Sequence, residues 1–67
     1  MNKEARGRDW LNYFKLAVTQ ARDARLSGQM ERACHLDKTI ERYYLEADDK
    51  GFNADGLYEI ESDIRNS

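Results

Sequence analysis

The sequence predicts a small all-α domain: an antiparallel helical hairpin completed by a short third helix, with a dimeric helical bundle as the expected assembly. Three observations lead to this fold class. The chain of 67 residues contains no proline. Its apolar residues recur at spacings of three and four, the period of a helix that is buried on one side. Its four glycines, at positions 7, 28, 51 and 56, lie close to where helices are expected to begin or end.

The first helix is expected over about residues 9–27. At about 100° per residue, its apolar residues share one side: Trp10, Leu11, Phe14, Ala17, Val18, Ala21 and Ala24. Asp9 is a suitable N-cap, although good helix formers upstream allow an earlier start at Lys3. Ser27 and Gly28 are expected to end the helix, because glycine adopts the left-handed conformation of a helix stop without strain.

The second helix is expected over about residues 29–49, before Gly51. Its apolar side consists of Ala33, Leu36, Ile40, Tyr43, Tyr44 and Ala47. A connection of only two or three residues makes the two helices antiparallel, with arms of roughly 30 Å. Trp10, Phe14, Ile40 and Tyr44 are then expected to form the central layers of the hairpin.

The third helix is expected over about residues 54–65. Asn53 is well placed as its N-cap, and Phe52 and Leu57 stand at the positions of a hydrophobic staple. Leu57, Ile60 and Ile64 recur at helical spacing.

The acidic stretch before and within this helix, DDKGFNADGLYEI, raises the question of a calcium loop. An EF-hand loop needs oxygen ligands at positions 1, 3 and 5, glycine at 6 and glutamate at 12. With Gly56 at position 6, position 1 is Gly51 and position 12 is Ser62. Both end ligands are missing, so no metal and no other cofactor is expected.

The length indicates one domain over residues 1–67 with a small core, which disulfides, metals or oligomerisation usually supplement. A single cysteine and a single histidine leave self-association as the expected supplement. No long apolar run and no signal-peptide core are found, so we expect a cytoplasmic protein that does not contact the membrane.

Catalysis is not expected. The only thiol and the only imidazole, Cys34 and His35, are neighbours in sequence, and neighbours on a helix point about 100° apart. Glu31 and His35 are four residues apart, which leaves a metal site shared between two copies as a remote alternative. Carboxylate pairs at helical spacing need a concave site before they act as acid and base, and three short helices offer none that is obvious.

The charges are unevenly distributed. Residues 1–33 hold seven basic and four acidic residues, and residues 34–67 hold four basic and nine acidic residues. Arg8, Lys15 and Arg22, spaced by seven, form a basic stripe on the first helix with Arg6 and Arg25 near its ends. The stripe suits either a nucleic-acid backbone or acids of the second helix such as Asp37, Glu41 and Asp48.

The preferred functional hypothesis is a noncatalytic protein–protein interaction module: a small regulator, inhibitor or adaptor that binds another protein through helix faces and forms a homodimer. Leu16, Leu26 and Leu45 project away from the apolar sides, which favours a contact surface. The residues expected to bind the partner are two aromatic anchors and a charged rim: Tyr13, Tyr43, Arg22, Arg25, Glu41 and Glu46. A nucleic-acid-binding regulator that uses Arg6, Arg8, Lys15, Arg22 and Arg25 is the alternative.

Overall fold

The computed structural model describes the backbone of residues 3–67 and the side chains of residues 9–67. Its elements are α1 (Lys3–Leu26), α2 (Met30–Glu46), a 3₁₀ turn (Asp48–Lys50) and α3 (Ala54–Arg65). No strand occurs within residues 3–67. The predicted all-α fold is confirmed: α1 and α2 pack as a hairpin, and the shorter α3 completes it.

Two glycines in the left-handed conformation end α1 and the segment after α2. Gly28 has φ +78° and Gly51 has φ +80°. At the first stop the N–H of Gln29 donates to the carbonyl oxygen of Ala24 at 2.8 Å, and at the second the N–H of Phe52 donates to that of Ala47 at 2.9 Å. Each is a Schellman motif, in which orphan carbonyls of the last turn are satisfied before the chain changes direction.

The other boundaries differ in part from expectation. α1 extends upstream of Asp9 and already includes Lys3, the first residue described, because the helix-forming residues before Asp9 continue the helix. α2 ends at Glu46, and the expected last turn is the 3₁₀ turn. α3 begins and ends where predicted, and Oδ1 of Asn53 accepts a hydrogen bond from the N–H of Asp55 at 2.9 Å, so Asn53 is its N-cap.

The core lies where the three apolar sides meet. Phe14 and Val18 are fully buried, and Ile40 and Leu57 are nearly so. The ring of Phe14 meets that of Tyr44 edge to face, with centroids 5.7 Å apart, a favoured aromatic geometry. The predicted central layers of the hairpin are therefore confirmed.

Polar side chains attach α3 to the hairpin on one side. Nη1 of Arg22 donates to the carbonyl oxygen of Ile64 at 2.9 Å. The hydroxyl of Tyr44 donates to Oε1 of Glu61 at 2.6 Å, and Nη2 of Arg65 lies 3.1 Å from Oδ1 of Asp37. α3 therefore covers one side of the hairpin.

A charged network accompanies these contacts. Asp37 also pairs with Arg25, and Nε of Arg65 lies 2.9 Å from Oε2 of Glu61. Burial acts to lower the pKa of Arg65, but its hydrogen bonds to Glu61 and Asp37 more than offset this and raise the pKa above its ordinary value. The expected pairing of helix 1 bases with Asp37 is confirmed for Arg25.

None of the described helices is long and apolar enough to cross a membrane.

Candidate functional site

The side of the hairpin opposite α3 is open among the residues that the structure describes. Two surface cavities lie along it, one near Trp10 and one near the turn at Gly28. At about 100° per residue, the residues on this side of each helix fall within one sector. We call this surface the open face, and it consists of Tyr13, Leu16, Ala17, Gln20, Ala24, Arg32, Thr39, Arg42, Tyr43 and Glu46.

The larger of the two cavities on the open face has a volume of about 290 Å³. We call it the aromatic depression. It is lined by Trp10, Tyr13, Thr39, Arg42, Tyr43 and Glu46. Both helices of the hairpin contribute to it, so its shape depends on their packing.

Trp10 packs against two other aromatic rings in the aromatic depression. Its ring stacks on Phe52 with centroids 5.0 Å apart and meets Tyr43 edge to face at 5.3 Å. Its Nε1–H donates to Oε2 of Glu46 at 3.4 Å. Tyr13, by contrast, is 62% exposed. The exposed Tyr13 thus lines the same depression as Trp10 and Tyr43, which pack against each other.

The aromatic depression contains the Tyr43 hydroxyl, the positive charge of Arg42 and the negative charge of Glu46. Burial raises the pKa of Tyr43, and the neighbouring Glu46 carboxylate and Tyr13 raise it further. A phenol is protonated at neutral pH even with its ordinary pKa, so the Tyr43 hydroxyl can donate a hydrogen bond. Arg42 and Glu46 are both exposed at the edge of the depression.

Two cavities accompany the aromatic depression. The one near the turn belongs to the open face, has a volume of about 210 Å³ and is lined by Gln20, Asp23, Ala24, Ser27, Gln29 and Arg32, all polar except Ala24. The other, about 400 Å³, lies on the outer side of α2 and is lined by His35, Lys38, Thr39, Glu41, Arg42 and Leu45. Thr39 and Arg42 line both this cavity and the aromatic depression, so the two adjoin.

Of the six residues predicted to bind a partner, the structure brings three together. Tyr13, Tyr43 and Glu46 line the aromatic depression. Glu41 lies on the outer side of α2, in the adjoining cavity.

The two arginines of the predicted rim lie elsewhere. Arg22 binds the end of α3 and Asp23, and Arg25 pairs with Asp37. Both arginines therefore lie on the side of the hairpin that α3 covers. The structure does not place them at the edge of the aromatic depression.

Three residues of the aromatic depression escaped the sequence-based prediction: Trp10, which was assigned to the core alone, Thr39 and Arg42. A signal for two of them exists in the sequence. Thr39 and Arg42 precede Tyr43 and Glu46 by four residues each, so all four share one sector of α2.

The basic stripe is only partly available for a ligand. Lys15 is exposed. Arg22 and Arg25 make the intramolecular contacts given above. The side chains of Arg6 and Arg8 lie outside the described residues.

The residues considered for catalysis do not meet in a site. Cys34, His35 and Glu31 are all exposed on α2. Among the described side chains, no three His, Cys, Asp or Glu residues are arranged to hold a metal ion. The open face carries aromatic side chains, a phenol hydroxyl and charges of both signs, and of these residue types tyrosine, tryptophan and arginine are enriched at protein–protein interfaces.

No protein-family model matches the chain, and neither does any curated protein or solved structure.

Proposed function

We propose that this chain is a noncatalytic protein–protein interaction module that binds another protein through the open face. Tyr13 and Tyr43 are the aromatic anchors, and Arg42 and Glu46 supply the charges at the edge. As a small regulator, inhibitor or adaptor, it acts by covering a surface of its partner or by bridging two proteins.

The observation that carries this proposal is the exposure of Tyr13 beside a fixed aromatic pair. Trp10 packs between Phe52 and Tyr43, so the floor of the depression is ordered before any partner arrives. Preorganised side chains lose little conformational entropy on binding. Tyr and Trp are also enriched among the residues that dominate binding energy, because they bury a large apolar area and keep a hydrogen-bonding group.

The homodimer expected from the sequence belongs to the same proposal. A domain of this size buries only about 60% of its unfolded surface, and additional burial against a second chain stabilises it. The cytoplasmic location expected from the sequence remains a prediction.

The nucleic-acid alternative has weaker support. Phosphate binding depends on several free cationic side chains along one surface. Of the three described members of the basic stripe, Arg22 and Arg25 are engaged within the chain, which leaves Lys15 exposed. Arg22 is also directed to the end of α3 and not along the outer surface of α1.

Capture from a lysate of the native host tests the proposal. Wild type, Tyr13→Ser and Tyr58→Ser are immobilised in parallel, and the bound proteins are identified by mass spectrometry. Tyr58 is the matched control, because it is 69% exposed on α3, outside the open face. We expect a partner that wild type and Tyr58→Ser retain in stoichiometric amounts and that Tyr13→Ser loses. Equal retention by all three, or no retained protein, contradicts the binding of another protein through the open face.

A further inference from the structure

Arg32, Thr39 and Glu46 form a line along α2 within the open face. They are spaced by seven residues, which is close to two helical turns, and lie within about 40° of one another around the helix. Arg32 and Glu46 are exposed, and Thr39 is half-buried between them. The line therefore carries a positive charge at one end, a small residue at its midpoint and a negative charge at the other end.

We propose that a second copy of this chain occupies the open face, with the two α2 helices antiparallel and Arg32 of each copy paired with Glu46 of the other. The inference rests on the proposed function, since it names the occupant of the same face. A two-fold axis through Thr39 places Arg32 of each copy opposite Glu46 of the other. The two resulting pairs lie about 10 Å to either side of the midpoint. The small side chain of Thr39 lets the two helices approach each other closely.

The aromatic depression is the receiving site for the arginine. Glu46 lies at its edge with Tyr13 and Tyr43, and Trp10 forms its floor. A guanidinium group here meets a carboxylate and aromatic faces together, and both interactions are favourable for arginine. Arg42 also lines the depression and bears the same charge as the incoming arginine, but no salt bridge between Arg42 and Glu46 is formed within the described residues.

The placement of these charges on α2 favours an intermolecular role. Arg32 lies in the first turn of α2 and Glu46 at its last residue, and no basic residue stands in its last turn. Both charges oppose the helix dipole, which favours acids at the N-terminus and bases at the C-terminus. Within the described residues neither forms a salt bridge. Glu46 accepts a hydrogen bond from Trp10 at 3.4 Å, and pairing with a second copy gives both Arg32 and Glu46 a partner of opposite charge.

Sedimentation velocity over a range of micromolar concentrations tests the proposal, using wild type, Arg32→Glu, Glu46→Arg and an equimolar mixture of the two variants. We expect wild type to dimerise and each variant to dimerise at least about tenfold more weakly, since two like-charge pairs then face each other. The mixture is expected to recover wild-type association, because a heterodimer of the two variants restores opposite charges at both positions.

Controls separate a lost interface from a lost fold. Both substitutions place charges that suit the helix dipole of α2, so circular dichroism and urea unfolding should show an intact fold. Lys38→Glu is the matched control: Lys38 is exposed on α2 but lies outside the aromatic depression, and its substitution should leave dimerisation unchanged.

Two results overturn the inference. One is a wild-type protein that stays monomeric throughout the concentration range. The other is a dimer that neither substitution weakens or that the mixture fails to restore. If either occurs while the protein still captures a different host protein in a Tyr13-dependent way, the proposed function stands. Only the proposal that a second copy occupies the open face is then rejected. If the Arg32–Glu46 dimer forms but Tyr13→Ser captures the same host proteins as wild type, binding of another protein is rejected and the dimer stands.

Discussion

Nη1 of Arg22 lies 2.9 Å from the carbonyl oxygen of Ile64 and 2.6 Å from Oγ of Ser67, which joins the C-terminal part of α1 to the C-terminal end of α3. The last carbonyls of a helix lack partners within the helix, and a cation beside them also interacts favourably with the helix dipole. Arg22 therefore serves to hold α3 against the hairpin.

Replacing Arg22 with Ala is expected to destabilise the protein by about 1 kcal/mol, since the α3 carbonyl loses a charged donor. The loss should be concentrated in the last turn of α3, where amide hydrogen exchange accelerates. Lys15→Ala is the matched control, because Lys15 lies two turns earlier on α1 and is exposed. Equal urea midpoints for the two variants would argue against this role.

Substitution of two neighbouring aromatic residues of α1 should change the free energy of unfolding by very different amounts. Phe14 is fully buried, whereas Tyr13 is 62% exposed. Phe14→Ala is expected to cost about 3–5 kcal/mol, comparable with the roughly 3–10 kcal/mol available to a domain of this size. Tyr13→Ala is expected to stay within about 0.5 kcal/mol of wild type. Chemical denaturation followed by circular dichroism measures both, and a cooperative, wild-type-like transition for Phe14→Ala would contradict the core as described.

Two glycine substitutions are expected to have opposite signs. Gly28 has φ +78°, so Gly28→Ala should destabilise the protein by about 1 kcal/mol although an added Cβ meets no atom within 4 Å. Gly56 lies in the first turn of α3 with similar free space, so Gly56→Ala should stabilise by roughly 0.5 kcal/mol. Thermal unfolding of both variants provides the check, and shifts of the same sign would refute the backbone argument.

Stability is expected to fall in alkaline solution because of Tyr44. Burial and the hydrogen bond to Glu61 raise the pKa of its phenol above the ordinary value of 10.0. Above about pH 10 the unfolded chain therefore releases this proton while the folded protein retains it, so rising pH favours unfolding. Urea unfolding from about pH 8 to about pH 11 should show a steeper decline for wild type than for Tyr44→Phe. If the stability of wild type and Tyr44→Phe declined equally with pH, the raised pKa of Tyr44 would be contradicted.

Much of the fold follows from local rules. The apolar periodicity of the first two helices, the stops at Gly28 and Gly51 and the cap at Asn53 depend on residues close in sequence. The sequence alone allows α1 to start at Asp9 or at Lys3, because a good N-cap and good helix formers compete there.

The candidate site was harder to predict, because it depends on where α3 packs. Arg22 and Lys15 occupy similar positions on α1, yet only the position of the α3 terminus makes Arg22 a structural residue. Trp10 serves both the core and the aromatic depression, and helical periodicity alone identifies only its core role. Tyr13, Tyr43 and Glu46 were predicted because exposed aromatics and charges near an apolar side are typical of binding surfaces.

Photo-cross-linking in the native host tests most directly whether the open face binds protein. A photoreactive amino acid replaces Tyr13 in one variant and Tyr58, outside the open face, in the other. We expect discrete protein adducts from position 13, including one of twice the chain mass for the second copy, and none of comparable yield from position 58. Adducts from position 58 alone, or from neither position, would contradict the assignment of the open face as the binding surface.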